Sequence, residues 1–319
     1  MQHTATTHAL PEMVTVPHWD LPAIPAAPVN SEVFVGAAAR AARTMPSALH
    51  DGLVAFADRT HDTGALLFRG LPVGELGATP ASPTDPSAKC STSEFVLLAA
   101  ARRLAQPVGY QPEHGGDLVQ NLVPTRARAD RQVSTSSRVD LMFHTEAAFH
   151  PHRPRYLLLL CLRGDDAAVT TLASIRELMP RLPHTVVQTL SQPRFRTAVD
   201  ESYLHGRANE LGPAAPVLRG DPNAPTMVFD ADLMVGTDQE ADDALRALRD
   251  ATESHHTGVS LRAGDLLVVD NDVAVHGRTA YRPRFDGTDR WLQRSMAVCD
   301  LAPSAAERNG RIITTRFGA

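Results

Sequence analysis

Two histidines and one glutamate stand where they could bind a single metal ion. His144 and Glu146 lie two positions apart in LMFHTEAAFH, and His276 follows a turn and an apolar run in LRAGDLLVVDNDVAVHGRTAY. In an extended stretch, side chains at i and i+2 point to one face, so an imidazole and a carboxylate can reach one ion. Because chance often produces an H-x-E tripeptide, the prediction depends on the second histidine as well.

This ligand set favours iron(II). Two imidazoles and one carboxylate leave three adjacent positions open, two for a chelating 2-oxo acid and one for dioxygen. Arg290 follows His276 by fourteen residues in DRWLQRSMAV. Its planar guanidinium could bind the distal carboxylate of the oxo acid in a bidentate way. Arg294, four residues later on the same face of a predicted strand, could hold a second carboxylate. The alternative is that both arginines form ordinary surface ion pairs.

Two other classes of protein could carry the same three ligands. A zinc hydrolase also uses two histidines and a carboxylate, but it needs a general base at hand and gives Arg290 no role. A non-catalytic cupin-like binding module would not need an open metal face. These alternatives stay open on the residues alone.

The composition is that of a globular protein. The chain has 319 residues, of which 43% are hydrophobic and 21% charged. A formal charge of −5 argues against nucleic-acid binding, which needs a surplus of Lys and Arg. The three cysteines have no C-x-x-C spacing and are expected to be reduced. No run approaches the ~18 apolar residues of a membrane span, and the first residues lack signal-peptide features, so we expect a cytoplasmic enzyme.

The first thirty residues differ in composition from the rest of the chain. Residues 1–30 are rich in Pro, His and Thr without a hydrophobic period, which predicts a mobile or loosely docked arm. Residues 31–319 are predicted to form one domain. It begins with two helices separated at Pro46, a strand in ALLFRGLP, a long loop and a helix in EFVLLAAARRLA.

Short apolar runs separated by turns follow Gly109. They are typical of the strands of a sandwich or barrel rather than of alternating βαβ units. Two helices are predicted to interrupt them, near Ser174 to Leu190 and near Gln239 to Glu253. The predicted strands are LVQNLVP, YLLLLCL, FRTAV, TMVFDADL, LLVVDN and WLQRSMAVCD.

Several blocks of the chain resemble the clavaminate synthase-like branch of the iron(II) and 2-oxoglutarate oxygenases. That branch includes the asparagine 3-hydroxylase and arginine 3-hydroxylase of peptide-antibiotic pathways and the free lysine hydroxylases. The resemblance runs from ALLFRGLP to the carboxy terminus, in the family's order and spacing. Its carriers are VSTSSRVDLMFHTEAAFHPHRPRYLLLLCLRGD, VDESYL, FDADLM, GDLLVVDN followed by AVHGR, and PRFDGTDRWLQR.

The resemblance implies a mainly β fold with flanking helices, built on a double-stranded β-helix (a jelly roll, cupin-like). It implies that His144, Glu146 and His276 bind iron and act in catalysis, and that Arg290 binds 2-oxoglutarate with a hydrogen bond from Thr171. Dioxygen is the second co-substrate. Related halogenases have a small residue in place of the glutamate, so its presence favours hydroxylation.

The resemblance also implies a small amino-acid substrate, hydroxylated at C3 in natural-product biosynthesis. Four carboxylates in one pocket would repel one another unless a cation entered, which favours arginine or lysine. Arg294 would pair with the α-carboxylate, and Glu113 or Glu146 would face the ammonium. Asparagine or another polar amino-acid derivative, and oxidative cyclisation or desaturation, are the alternatives. The predicted substrate-binding residues are Glu113, Ser134, Thr135, Asp200, Asp230, Asp232 and Arg294.

Overall fold

A computed structural model describes residues 11–58, 62–85, 89–204 and 206–318. Within them, helices and strands are interleaved along the whole chain. The helices are α1 (Glu32–Ala41), α2 (Ser47–Ala57), α3 (Ser91–Leu104), α4 (Ile175–Leu178), α5 (His184–Leu190), α6 (Glu201–Leu204) and α7 (Gln239–Ser254). The strands are β1 (Glu12–Thr15), β2 (Ala65–Arg69), β3 (Gln106–Tyr110), β4 (Gln120–Leu122), β5 (Leu141–His144), β6 (Tyr156–Arg163), β7 (Thr170–Ser174), β8 (Phe195–Thr197), β9 (Leu218–Arg219), β10 (Thr226–Met227), β11 (Met234–Gly236), β12 (Thr257–Val259), β13 (Leu266–Asp270), β14 (Ala274–Arg278), β15 (Trp291–Val298), β16 (Arg308–Asn309) and β17 (Ile312–Ile313).

Two sheets form the centre of the fold. The large sheet has nine strands in the order β1-β2-β13-β6-β15-β3-β17-β16, with β4 also paired to β15. The small sheet has four antiparallel strands in the order β12-β7-β14-β5. In the large sheet only the β1–β2 and β3–β17 pairs are parallel. The described residues therefore mix helices with sizeable sheets, where a mainly β fold with flanking helices was expected.

The apolar strands of the large sheet are buried on both faces. Along β13, Leu266 and Val268 pack into a cluster with helices α1, α2 and α3, whereas Leu267 and Val269 pack between the two sheets. Because successive side chains point to opposite faces, a strand covered on both sides reads as a continuous apolar run. This explains why LLVVD and YLLLLCLR show no alternation with polar residues.

The small sheet has helices on its outer face. Ala173 and Val275 belong to a third cluster with residues of α4, α5 and α7, whereas Leu172 and Ala274 face the large sheet. The side chains of β7 and β14 therefore point either between the sheets or toward these helices. This alternation decides which residues can reach the interior.

The helices near the amino terminus begin and end where the sequence indicates. Ser31 caps α1, since its Oγ accepts a hydrogen bond from the Phe34 amide at 3.2 Å. Pro46 separates α1 from α2, as predicted. The helix predicted near residues 174–190 is wrong as one element. Helix α4 ends at Leu178, a 3-10 turn follows over Met179–Arg181, and α5 begins at His184, because Pro183 disfavours a helical conformation at Leu182.

Part of the predicted arm is packed onto the sheet. Glu12–Thr15 forms β1, which pairs with β2 in parallel register. Val16 and Trp19 are buried just after it. Loose docking is therefore wrong for this part of the arm, and residues 1–10 lie outside the described residues. Nor does any helix of the described chain have the length and apolarity that crossing a bilayer requires.

Candidate active site

His144 and His276 are direct cross-strand partners in the small sheet. His144 is the last residue of β5, and His276 is the central residue of β14. Their ring centroids are 4.3 Å apart. The Nδ1 atom of His144 is hydrogen-bonded to the carbonyl of Met142 at 2.9 Å, which leaves Nε2 free to bind a metal. Two imidazoles thus lie side by side at one position of the sheet.

Glu146 completes the group from a turn that follows β5. Its Oε2 atom is 3.7 Å from Nε2 of His276. Ligand atoms of His144, Glu146 and His276 all lie within 4.8 Å of one another, and the described residues contain no other such group of three His, Cys, Asp or Glu side chains. This donor set of two imidazoles and one carboxylate fits iron(II). The structure therefore brings together the three predicted ligands.

Arg294 connects this group to a second carboxylate. Its Nη1 donates to Glu146 Oε1 at 3.0 Å, its Nη2 donates to Glu113, and its Nε donates to Gln120 Oε1 at 3.0 Å. The hydroxyl of Tyr203 also donates to Glu113, at 3.3 Å. Arg294, which is predicted to pair with a substrate carboxylate, is thus a buried cation between Glu113 and Glu146.

Burial and charge act differently on the ionisable groups of this network. Burial raises the pKa of Glu146, and the positive charge of Arg294 offsets this only in part. Burial opposes ionisation of Glu113 as well, but Arg294, His114 and hydrogen bonds together lower its pKa. Burial also lowers the pKa of His276 far below its ordinary value, which keeps that imidazole neutral and able to bind a metal.

Arg290 immediately precedes β15 and is 7% exposed. Counted by alternation, it shares a face with Leu292 and Met296, which pack between the sheets. Its guanidinium carbon is 6.0 Å from the centre of the Tyr281 ring. Within the described residues it has no ion pair or side-chain hydrogen bond to the protein. A buried cation of this kind requires an anion to offset its desolvation.

The register of β7 and β14 contradicts the prediction for Thr171. Thr170 is opposite Arg278, Leu172 is opposite His276, and Thr171 is opposite Gly277. Directly opposed residues share a face, so Thr170 lies on the face of His276 and Thr171 on the other face. The Thr170 hydroxyl is also buried without a hydrogen-bond partner. Thr170 therefore replaces Thr171 as the threonine that can reach a ligand between the sheets.

A cleft of about 1180 Å³ opens onto His144 and Glu146. Its walls come from the loop before β5, from α6 and from the turn that precedes β11. The seven residues predicted to bind substrate all line it: Glu113, Ser134, Thr135, Asp200, Asp230, Asp232 and Arg294.

The carboxylates of the cleft differ in how much of their hydrogen-bonding capacity is used. Oδ1 of Asp230 accepts from the amides of Asp232 and Leu233 at 2.9 and 2.8 Å. Asp200 accepts from the amide and the hydroxyl of Ser202 through one oxygen, Oδ1. Asp200 and Asp230 therefore each close a turn with one carboxylate oxygen, and each has a second carboxylate oxygen for a ligand. Burial raises the pKa of Asp230.

Several residues of the cleft were not predicted. Besides Arg294, four arginines line it, in the segments TRARADR and HGRANE, where the sequence shows only a local density of basic residues. Arg131 pairs with Glu201 of α6. Gln120 and Asn271 contact site residues without lining the cleft, and no spacing signal in the sequence marks them. The four arginines are Arg126, Arg128, Arg131 and Arg207.

Comparison with known proteins indicates the family of the chain. The taurine catabolism dioxygenase TauD, TfdA family matches residues 32–296. L-asparagine oxygenase of Streptomyces coelicolor is 39% identical over 282 residues, which cover 86% of this chain and 83% of that protein. L-lysine 3-hydroxylase of Catenulispora acidiphila is 37% identical over 291 residues, which cover 89% of this chain and 81% of that protein.

A solved structure of asparagine oxygenase superimposes with a TM-score of 0.85. It contains Fe(II), 2S,3S-3-hydroxyasparagine and succinate, is 36% identical, and covers 90% of this chain and 91% of its own. The predicted enzyme class, an iron(II) and 2-oxoglutarate-dependent dioxygenase, is therefore confirmed. The chain belongs to the TauD, TfdA family of dioxygenases.

Proposed function

We propose that the chain hydroxylates a free L-amino acid with a basic side chain, arginine or lysine, at C3. The observation that carries this proposal is the position of the Arg294–Glu113 pair, between the metal-ligand group and a cleft with further carboxylates. Such a pair is complementary to the carboxylate and ammonium of an amino acid. The proposed setting is natural-product biosynthesis, as the sequence resemblance implies.

His144, Glu146 and His276 would hold iron(II) in this function. Bound iron(II), with 2-oxoglutarate and dioxygen, supplies the oxidation that converts a C–H bond to C–OH and 2-oxoglutarate to succinate and carbon dioxide. The protein's contribution is to bind the reactants, orient them and exclude water. A dication bound to Glu146 would weaken the hydrogen bond between Glu146 and Arg294. The Arg294 guanidinium could then bind a substrate carboxylate more strongly.

Arg290 would bind the distal carboxylate of 2-oxoglutarate, with Thr170 as a hydrogen-bond donor. Arg278 is a second buried guanidinium on the same side, and burial together with Arg290 lowers its pKa to about 10. The two neighbouring guanidiniums repel each other electrostatically, and a bound dianion would offset this repulsion. The orphaned hydroxyl of Thr170 supports the same site.

The amino-acid head group would bind between Arg294 and Glu113. Arg294 supplies a forked donor for the α-carboxylate, and Glu113, whose pKa is lowered, is an ionised acceptor for the α-ammonium. The hydrogen bond from Tyr203 ties this head-group site to helix α6. Substrate entry would therefore exchange the internal pair for two pairs with the ligand.

The substrate side chain would extend toward Asp230 and Asp232. Asp230 is buried beside His144, to which it is bridged through the backbone, and its Oδ2 atom is available to a cation. Asp232 is exposed at the cleft. A buried carboxylate with a raised pKa gains most from a cationic ligand, which favours a guanidinium or an ammonium. Thr135, with a buried and unpartnered hydroxyl, and Ser134 would complete the polar contacts.

Asparagine is the second candidate substrate. The arginines at the cleft reduce its acidity, and the free hydroxyl of Thr135 suits an amide as well as a cation. The relative with 39% identity is named for asparagine. A neutral amide would leave the Asp230 carboxylate without a counter-charge, which is why we rank it second.

The sheet order supports a double-stranded β-helix core, since two sheets of antiparallel neighbours enclose one apolar interior. We propose a single oxygenase domain over residues 31–319, to whose large sheet the preceding segment contributes strand β1. Cytoplasmic localisation and the absence of nucleic-acid and membrane partners stay predictions. Cys90, Cys161 and Cys299 are free thiols, which suits a reducing compartment.

A substrate screen tests this function. The purified chain is supplied with iron(II), 2-oxoglutarate and ascorbate, and each proteinogenic amino acid is assayed by mass spectrometry for the gain of one oxygen atom, with succinate measured in parallel. We expect the product with arginine or lysine, hydroxylated at C3 by NMR, and none with His276→Ala. Turnover of asparagine alone would overturn the basic-substrate proposal, and activity only on a carrier-bound amino acid would overturn the free-substrate proposal.

A further inference from the structure

Asn271 holds the backbone of the metal-ligand candidate Glu146 from both sides. It lies in the turn between β13 and β14 and is 1% exposed. Its Oδ1 accepts a hydrogen bond from the Glu146 amide at 2.8 Å, and its Nδ2 donates to the Glu146 carbonyl at 3.1 Å. The same Nδ2 donates to the Pro154 carbonyl at 2.9 Å. Both polar atoms of the buried Asn271 amide therefore form hydrogen bonds to the backbone of Glu146.

Glu146 lies where the sheet no longer fixes the chain. Strand β5 ends at His144, and Thr145 is still bonded to Phe229 through its amide and its hydroxyl, at 2.7 and 3.0 Å. Ala147 then has φ of +51°, a conformation that costs energy for a residue with a Cβ atom. The backbone amide and carbonyl of Glu146 are hydrogen-bonded to the Asn271 side chain, so Asn271 fixes the position of the backbone from which the Glu146 carboxylate projects.

The turn that carries Asn271 is itself fixed. Asp270 and Asp272, on either side of it, both pair with Arg155, and the contact to Asp272 Oδ2 measures 2.6 Å. The backbone amide of Asn271 donates a hydrogen bond to the backbone carbonyl of Arg155 at 2.9 Å. Arg155 is 7% exposed and Asp270 is 3% exposed, so these ion pairs are little weakened by water. The asparagine therefore projects from a rigid position.

We propose that Asn271 is a positioning residue of the metal site, which sets the distance between Glu146 and His276. Asn271 precedes β14, the strand that carries His276, and it bonds the backbone of the other ligand directly. One side chain thus connects two ligands that are far apart in sequence. This inference rests on the proposed function, because it assumes that the three residues bind a metal.

Metal affinity of the full chain tests the proposal. The metal is removed with a chelator, and Mn(II) is titrated back while free Mn(II) is followed by EPR, well below the unfolding temperature. We expect Asn271→Ala to weaken Mn(II) binding by about 10- to 100-fold, the range found when partners of metal ligands are removed. Asn271→Asp keeps the acceptor for the Glu146 amide but sets a carboxylate oxygen against the carbonyls of Glu146 and Pro154, so we expect it to weaken Mn(II) binding as well.

Asn209 provides a matched control. Its side chain forms the same pair of bonds to Val199, accepting from the amide at 3.0 Å and donating to the carbonyl at 2.8 Å, without contact to a metal ligand. Asn209→Ala should leave the Mn(II) affinity within about twofold of the parent chain. The visible spectrum of the Co(II) form gives a second readout, and we expect its bands to shift in the Asn271 variants and not in Asn209→Ala.

The outcomes separate the two proposals. If the parent chain binds Mn(II) and both Asn271 variants bind it equally well, Asn271 is only a stabilising residue of the turn and the inference is overturned. If Asn271→Ala does not fold, the Asn271→Asp titration decides in the same way. If the parent chain itself binds no divalent metal, the proposed function fails first and the inference fails with it.

Discussion

Arg294 donates a hydrogen bond from Nη1 to Oε1 of Glu146 at 3.0 Å, across the space between the two sheets. The residue on the large sheet therefore stabilises the charge of a metal-ligand candidate that follows the small sheet. The same guanidinium also binds Glu113, which we assign to the substrate head group. Metal binding to Glu146 would weaken this hydrogen bond and leave the guanidinium more available to the substrate carboxylate. Substrate affinity is expected to depend on whether the metal is bound.

Arg290→Lys should weaken 2-oxoglutarate binding by about 10- to 100-fold, because a lysine ammonium cannot make the bidentate contact of a guanidinium. Anaerobic titration of the iron(II)-loaded chain with 2-oxoglutarate measures this through the visible charge-transfer band. Arg284→Lys serves as the control, since Arg284 is exposed beside Asp286. Unchanged affinity in Arg290→Lys would exclude Arg290 from the co-substrate site.

Thr170→Val and Thr171→Val form a pair that tests the face assignment. Each change removes a hydroxyl at nearly constant volume, but only Thr170 shares the face of His276. Thr170→Val should raise the dissociation constant of 2-oxoglutarate by about 5- to 15-fold, the equivalent of one hydrogen bond. Thr171→Val should leave it unchanged. The reverse ranking would restore the original prediction and contradict the register argument.

Asp230→Asn should reduce kcat/KM for a basic amino acid by about 100-fold or more, because a buried carboxylate paired with a cation contributes more than an exposed one. Asp232→Asn, at the exposed neighbour, should have a much smaller effect. Initial rates of succinate formation at several substrate concentrations give both values. Equal effects of the two changes would show that the buried carboxylate is not the selective contact.

Glu94→Gln should stabilise the fold at alkaline pH. Burial raises the pKa of Glu94 from 4.5 to about 7, although Lys89 lies 3.6 Å away. Between these two values the folded chain binds more protons than the unfolded chain, so the free energy of unfolding falls as the pH rises. The loss in the parent amounts to roughly 3 kcal/mol above pH 7, since one pKa unit corresponds to about 1.4 kcal/mol.

Urea denaturation at pH 5 and pH 8 measures this effect. The Glu94→Gln chain should be more stable than the parent at pH 8 and should lose most of that advantage at pH 5. Glu253→Gln, at an exposed position on α7, controls for the change of residue type. An advantage of Glu94→Gln that is equal at both pH values would mean that Glu94 does not ionise in this range.

The three metal-ligand candidates and the main elements could be predicted from the chain alone. Residue type and spacing carry that information. The ligands are indicated by an H-x-E at a strand end and by a distal histidine after an apolar run. Continuous apolar runs such as LLVVD are typical of strands that are buried on both faces. The separation of α4 from α5 was also visible in principle, because Pro183 disfavours a helical conformation at Leu182, the residue before it.

Tertiary structure decided which face and which partner each residue has. Nothing in VTTLAS distinguishes Thr170 from Thr171, because alternation along a strand fixes two faces but not which of them is interior. The partners of Arg294 and the two-sided bond from Asn271 to Glu146 join residues that are distant in sequence, and they form only when the sheets pack. Local spacing determined the ligands, and packing determined what holds and surrounds them.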